Sequence, residues 1–188
     1  VGTAVAVPQV VVLVGLDTDE AGPHEHGQSQ KHLDAALVIV VGGGQSNRAG
    51  DDACTTSDRP FATVAGGWQN SAGSALSSIG GGHLNYTNGH AATVSGGALN
   101  GAVGDYSVVP GGYSNAATGS GSFAAGQYAR ALHAGAFVWS DGITTAQFSS
   151  TAPRQFLIRA AGGVGINTNS PTNALSVAGN VDVTGNVG

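Results

Sequence analysis

His24-Glu25-His26, with His32 six residues on, is the cluster in this sequence that most resembles a metal site. On a strand, alternate residues share a face, so the two imidazoles would point the same way. The surrounding stretch, Asp17 to Asp34, is charged and polar and reads more readily as a solvated loop with incidental histidines. Cys54 is the only cysteine, which excludes an internal disulfide framework and a cysteine zinc cage. A nucleophilic thiol needs a histidine partner and positive surroundings. Cys54 has Asp51 and Asp52 beside it, so its expected role is structural or incidental. Asp51, Asp52 and Asp58 supply oxygens suited to calcium, but no Asp-x-Asp-x-Asp-Gly loop frames them.

Other catalytic signatures are missing. Lys31 is the only lysine, and no Gly-x-x-x-x-Gly-Lys-Ser/Thr or Gly-x-Ser-x-Gly string occurs despite 32 glycines. Eight of the 11 carboxylates lie at or before Asp58, and none is marked as half of a hydrolytic pair. The expectation is a non-enzymatic chain without cofactors. Six Lys and Arg in 188 residues make no basic face for phosphates, so nucleic acid is not an expected partner. Only 9% of residues are charged, against about 25% in ordinary globular domains. Glycine at this density is incompatible with long helices, and the apolar run Val1 to Leu16 is too short to span a bilayer. With no Met present, the expected species is a processed form or fragment.

The remaining candidates are aromatic and regularly spaced. Gln45, Trp68, His83, Ala98 and Tyr113 each follow a Gly-Gly pair. Stacked outward they would form a stripe able to dock a sugar ring or a protein, and Tyr86, His90 and Tyr106 are expected on the same face. The competing reading is that these rings pack over neighbouring chain or cover a subunit seam.

That spacing comes from an internal repeat. Gly-Gly-x-x-Asn recurs with a 15-residue period as Gly66-Gly67 with Asn70, Gly81-Gly82 with Asn85, Gly96-Gly97 with Asn100, and Gly111-Gly112 with Asn115. Gly43-Gly44 with Asn47 lies one period plus eight upstream of the first, and the surplus eight are assigned to a loop inserted near 51–58. Ala49, Ala72, Thr87, Ala102 and Ala117 keep the same beat, as do Ser77, Ala92, Ser107 and Ser122, and Val64, Ile79, Val94 and Val109. The beat is expected to slip at Phe123 and Ala124 and to shorten there into Gly126-Gln127-Tyr128-Ala129-Arg130-Ala131.

A 15-residue unit is too short for a helix pair or a propeller blade. It fits one coil of a β-solenoid, with two strands of roughly five residues and coils stacked about 4.8 Å apart. Val64, Ile79, Val94 and Val109 would form the inner ladder and the Gly pairs the positive-φ corners. The Asn column is expected at αL-tolerant turn positions, hydrogen-bonded along the stack. One large aliphatic residue per coil, at about 25 cal/mol per Å² buried, barely offsets the ordering of about 15 residues at 1–2 kcal/mol each. Between residues 60 and 140 only Asp105 and Arg130 are charged. A second face buried against identical chains answers both facts, so an obligate homo-oligomer is expected.

The stretch Phe61-Ala-Thr-Val-Ala-Gly-Gly-Trp-Gln-Asn70 through Ser122-Phe-Ala-Ala-Gly126 resembles the head repeats of trimeric autotransporter adhesins, the YadA-like, hemagglutinin type. Asn173-Ala-Leu-Ser-Val-Ala-Gly-Asn-Val-Asp-Val-Thr-Gly185 resembles shaft segments of phage tail fibres. Together the likenesses cover about residues 42–185. They imply a parallel homotrimer of β-rolls exposed outside a cell or on a virion, binding a cell-surface glycan or protein. They also raise the idea of an ion threaded between His24 and His26 of three chains.

The expected architecture is therefore all-β. Residues 1–41 form an N-terminal segment with strand character at Gln9 to Val14 and Val38 to Val41. Residues 42–135 form a β-roll of five to six coils, and 136–188 a short-strand, prism-like shaft with alternation at Phe156, Ile158, Val164, Ile166, Leu175 and Val177. The expected function is adhesion or surface recognition by an extracellular trimeric fibre. The alternatives are a tail-fibre segment recognising cell-surface glycan, a structural spacer, and ice binding by the column Thr63, Ser78, Thr93, Val108.

Overall fold

The computed structural model describes residues 40–50 and 61–181. His24, His26, His32, Cys54, Asp51, Asp52 and Asp58 lie outside these residues, as does most of the expected N-terminal segment. Among the described residues every regular element is a strand.

Two parallel sheets wind together as a β-solenoid of about eight coils. One sheet has eight strands: Val40–Val41, Thr63–Val64, Ser78–Ile79, Thr93–Val94, Val108–Val109, Phe123–Gln127, Phe137–Asp141 and Phe156–Arg159. The other has seven: Arg48–Ala49, Ser71–Ala72, Tyr86–Thr87, Gly101–Ala102, Ala116–Ala117, Ala129–Ala131 and Phe148–Ser149. Along the chain, strands of the two sheets alternate. A separate parallel pair joins Val164–Ile166 to Leu175–Val177.

Register confirms the 15-residue beat. Thr63 pairs with Ser78, Ser78 with Thr93, and Thr93 with Val108. Val40 pairs with Thr63 and Arg48 with Ser71, both separated by one period plus eight. Gly50 N–H also donates to Ala72 C=O. The eight surplus residues therefore fall between Gly50 and Thr63.

The expected shortening does occur, since Tyr113 bridges Gln127 and Ala117 pairs with Ala131 one residue short of a full period, but Phe123 and Ala124 themselves stay in register. Phe123 pairs with Val108, which places Ala124 in the inner column after Val109. That column continues as Val138 and Leu157. What changes is winding length: Phe137 follows Phe123 by one less than the usual step, and Phe156 follows Phe137 by four more. The eight-stranded sheet thus runs unbroken across residues 135–136, and Val40–Val41 is its first strand.

Four columns point inward. Two are small: Ala62, Ser77, Ala92, Ser107, Ser122, Ala136 in one, and Ala72, Thr87, Ala102, Ala117, Ala131 in the other. A third carries Val64, Ile79, Val94, Val109, Ala124 and Val138, all fully buried. The fourth is polar: Asn70, Asn85, Asn100 and Asn115 are at most 1% exposed. Side chains this small leave the two sheets close together, which is why alanine and serine recur.

The asparagines form a continuous ladder. Asn85 donates through Nδ2 to Gly81 C=O, Gly97 C=O and Asn70 Oδ1, at 2.9, 2.9 and 3.1 Å, while its backbone N–H donates to the same Oδ1 at 3.0 Å. Asn100 and Asn115 repeat the backbone bond to the amide below. Ala129 N–H closes the run on Asn115 Oδ1 at 3.0 Å. A buried amide is costly unless satisfied; here each is satisfied by its neighbours.

The asparagines are not the left-handed residues, contrary to the sequence expectation. Positive φ lies one position earlier, at Ser46, Gln69, Leu84, Leu99, Ser114 and Tyr128. It recurs at a second bend, at Phe61, Leu76, Ala91, Tyr106 and Gly121. Such a conformation costs a side-chain-bearing residue about 1–2 kcal/mol. The return is a reversed peptide. Leu84 N–H donates back to Trp68 C=O, and Leu99 N–H to His83 C=O. The next residues, Asn85 and Asn100, also donate back, to the asparagine Oδ1 below, whereas the N–H groups of His83, Tyr86, Ala98 and Gly101 donate forward.

The second glycine of each pair permits a close approach between windings. At Gly97, with φ +83°, a Cβ would lie 2.2 Å from Gly112 O and 2.7 Å from Asn100 Nδ2. At Gly96 a Cβ would meet nothing within 4 Å.

Candidate functional site

The outer surface of these windings carries the candidate chemistry. After each Gly-pair bend the next residue turns outward, and consecutive copies bridge in parallel: Gln45 to Trp68, Trp68 to His83, His83 to Ala98, Ala98 to Tyr113, Tyr113 to Gln127. The expected aromatic column therefore exists. Trp68 and His83 stack face to face, with centroids 4.5 Å apart and planes 8° apart. Trp68 keeps 48% of its surface exposed. His83 Nε2 is buried and has no hydrogen-bond partner. Tyr113 meets Tyr128 of the next winding edge-on, at 5.6 Å and 82°.

The expectation that Tyr86, His90 and Tyr106 share this face does not hold. Tyr86 belongs to the strand Tyr86–Thr87 of the seven-stranded sheet, and its ring lies over Gly101, where a Cβ would be 2.3 Å from the Tyr86 Cζ. His90 and Tyr106 sit at the second bend, between that sheet and the next strand of the other. Their rings meet edge-on at 5.6 Å, and Asp105 accepts a bond from His90 N–H at 2.9 Å. Three separate stretches of each winding thus carry what the spacing alone placed together. The cause is the left-handed residue on either side of the strand, which redirects the chain twice.

The eight-stranded sheet presents a second outer column that changes character along its length. Thr63, Ser78 and Thr93 are followed by Val108, Phe123, Phe137 and Phe156. Ser78 and Thr93 hydroxyls lie 3.3 Å apart and so bond within the column. Phe123, Phe137 and Phe156 stack at 4.7 and 4.5 Å, within 17° of parallel, and Phe156 is 68% exposed. Trp139 and Ile158 pair beside them on the same strands, two residues on. Sequence reading missed this ladder. Its signal was a phenylalanine followed by a core residue at Phe123-Ala124, Phe137-Val138 and Phe156-Leu157, hidden by unequal spacing.

An ionic cluster lies at the end of the solenoid. Arg159 donates to Ser140 Oγ at 2.7 Å and Ala146 C=O at 2.9 Å, and lies 5.0 Å from the Phe148 ring centre. Asp141 accepts from Ala161 N–H at 2.6 Å and Ile143 N–H at 3.2 Å. Those backbone bonds, with the Arg159 charge, hold its carboxyl below the ordinary 3.8. Among the described residues no three His, Cys, Asp or Glu side chains gather as a metal site, and no helix is long and apolar enough to cross a membrane. Neither a protein-family model nor a curated protein matches this chain.

Proposed function

We propose that this chain is a non-enzymatic module of an extracellular fibre, assembled as a parallel homotrimer and used for adhesion or surface recognition. The observation that carries the reading is the outer Phe123–Phe137–Phe156 ladder beside a core built largely of Ala, Ser and Val. At about 25 cal/mol per Å² such a core contributes little per winding. An aromatic ladder left in water forgoes the largest apolar contribution available to the chain. A copy of the chain in the same axial register would present the same ladder at the same height. The near absence of charge between residues 60 and 140 removes the repulsion that would oppose this contact. The choice of three chains rests on the likeness to trimeric autotransporter adhesins, and so does the extracellular setting.

Size-exclusion chromatography with light scattering tests the reading. The expected mass is three times the 18.3 kDa of the chain. Val94→Asp places a charge in the inner column and is expected to abolish assembly with folding. A well-folded, heat-resistant monomer in dilute buffer would overturn the proposal.

A further inference from the structure

The aromatic column has one missing rung. Trp68 and His83 occupy consecutive windings and touch face to face, then Ala98 stands where the next ring would be, and Tyr113 follows. With windings about 4.8 Å apart, His83 and Tyr113 are about 9.6 Å apart along the axis. A ring placed midway would be about 4.8 Å from each, within the range in which ring pairs attract. The column's own pair stacks at 4.5 Å, so it already accepts that spacing. Tyr113 meets Tyr128 of the following winding edge-on and bridges Ala98 on the preceding one. Leu84 and Leu99, each one residue beyond the column and about 40% exposed, flank the gap with apolar surface.

We infer that the Ala98 gap is a binding slot for one neutral pyranose ring, entered edge-first and held between His83 and Tyr113. The inference deepens the recognition reading by naming its ligand class, and rests on that part of it alone. A pyranose has C–H faces that pack on aromatic rings and hydroxyls around its edge that seek polar partners. His83 Nε2 is closed to solvent, so the sugar packs on the His83 ring through a C–H face and makes no hydrogen bond to that nitrogen. No Asp, Glu, Lys or Arg occurs from Pro60 to Gly104, so the slot offers nothing to a carboxylate or ammonium and favours an uncharged sugar. Trp68 itself is a poorer platform, because His83 already covers one of its faces.

The test is an NMR titration of the assembled protein with methyl glycosides of glucose, galactose, mannose and N-acetylglucosamine. At least one is expected to shift the Ala98 methyl and the His83 and Tyr113 ring signals, with millimolar affinity. Ala98→Phe completes the ring column and is expected to abolish those shifts without changing the mass by light scattering. Should that variant misfold, Tyr113→Ala carries the test, with affinity expected to fall about tenfold. The inference is overturned if no glycoside produces the shifts, if Ala98→Phe titrates as the parent does, or if phenol produces them and the glycosides do not. Mass is read on the same samples. Binding by a monomer would end the homotrimer reading and leave the slot standing, and a silent trimer would do the reverse.

Discussion

From Thr63 to Val109 the strands of the eight-stranded sheet are two residues long, whereas Phe123–Gln127 and Phe137–Asp141 run to five. The short-strand region has the asparagine ladder, a glycine pair in each winding and a fixed 15-residue length. The long-strand region has none of these. One of its windings is shorter than that by a single residue and the next is longer by four. Its inner polar ladder ends at Ala129, and stacked rings line its outer face. The two regions share one sheet but hold it together differently. Where strands are short, order comes from buried amides and backbone approach at the bends, which demand identical spacing. Where strands are long, the backbone ladder itself supplies register, and winding length is free to vary.

Substitutions can break this contrast. The largest effect is expected at Gly97→Ala, which adds a Cβ 2.2 Å from Gly112 O on a backbone at φ +83°. A loss of about 4 kcal/mol in chemical denaturation is expected from strain and forced separation of windings. Gly96→Ala, one residue earlier in open space, should stay within about 0.5 kcal/mol. Equal effects at the two positions would sink the idea that close approach at the bend organises the short-strand region.

Asn100→Ala ranks next. It removes bonds to Gly96 C=O and Gly112 C=O and the acceptor used by Asn115, leaving buried groups unpaired. About 3 kcal/mol should be lost, and amide exchange should quicken in the windings on both sides of the gap. Phe137→Ala is expected to be mildest for folding, at about 1.5 kcal/mol, since five backbone pairs on one side and four on the other remain. Exchange protection of Val138 that survives in Phe137→Ala would sharpen the comparison, and its collapse would show that the rings, not the backbone, set register there.

Much of the short-strand region was legible because its physics is periodic. Val64, Ile79, Val94 and Val109 announce an inner column, and Gly-Gly-x-x-Asn announces a bend with an amide behind it. The left-handed residue before each asparagine was not legible, because Gln69, Leu84, Leu99 and Ser114 mix amide, aliphatic and hydroxyl side chains, none of which favours positive φ. Their backbone is set by where the N–H must donate, not by side-chain preference. The continuation through Phe137 and Phe156 was obscured when the interval first shortened by one and then lengthened by four. The separation of Tyr86 and Tyr106 from Trp68 depends on two changes of chain direction per winding, which residue spacing does not encode.

The amide column also has a mechanical meaning. Every Asn oxygen accepts from the next winding, and each Nδ2 donates to a carbonyl of that winding as well, so each amide clasps its successor from both sides. Pulled apart from an end, such a rod would yield one turn at a time, each freeing about 50 Å of chain. Tension would then be met by a series of equal, repeatable detachments instead of a single rupture, and a tether with that property keeps its grip while it lengthens.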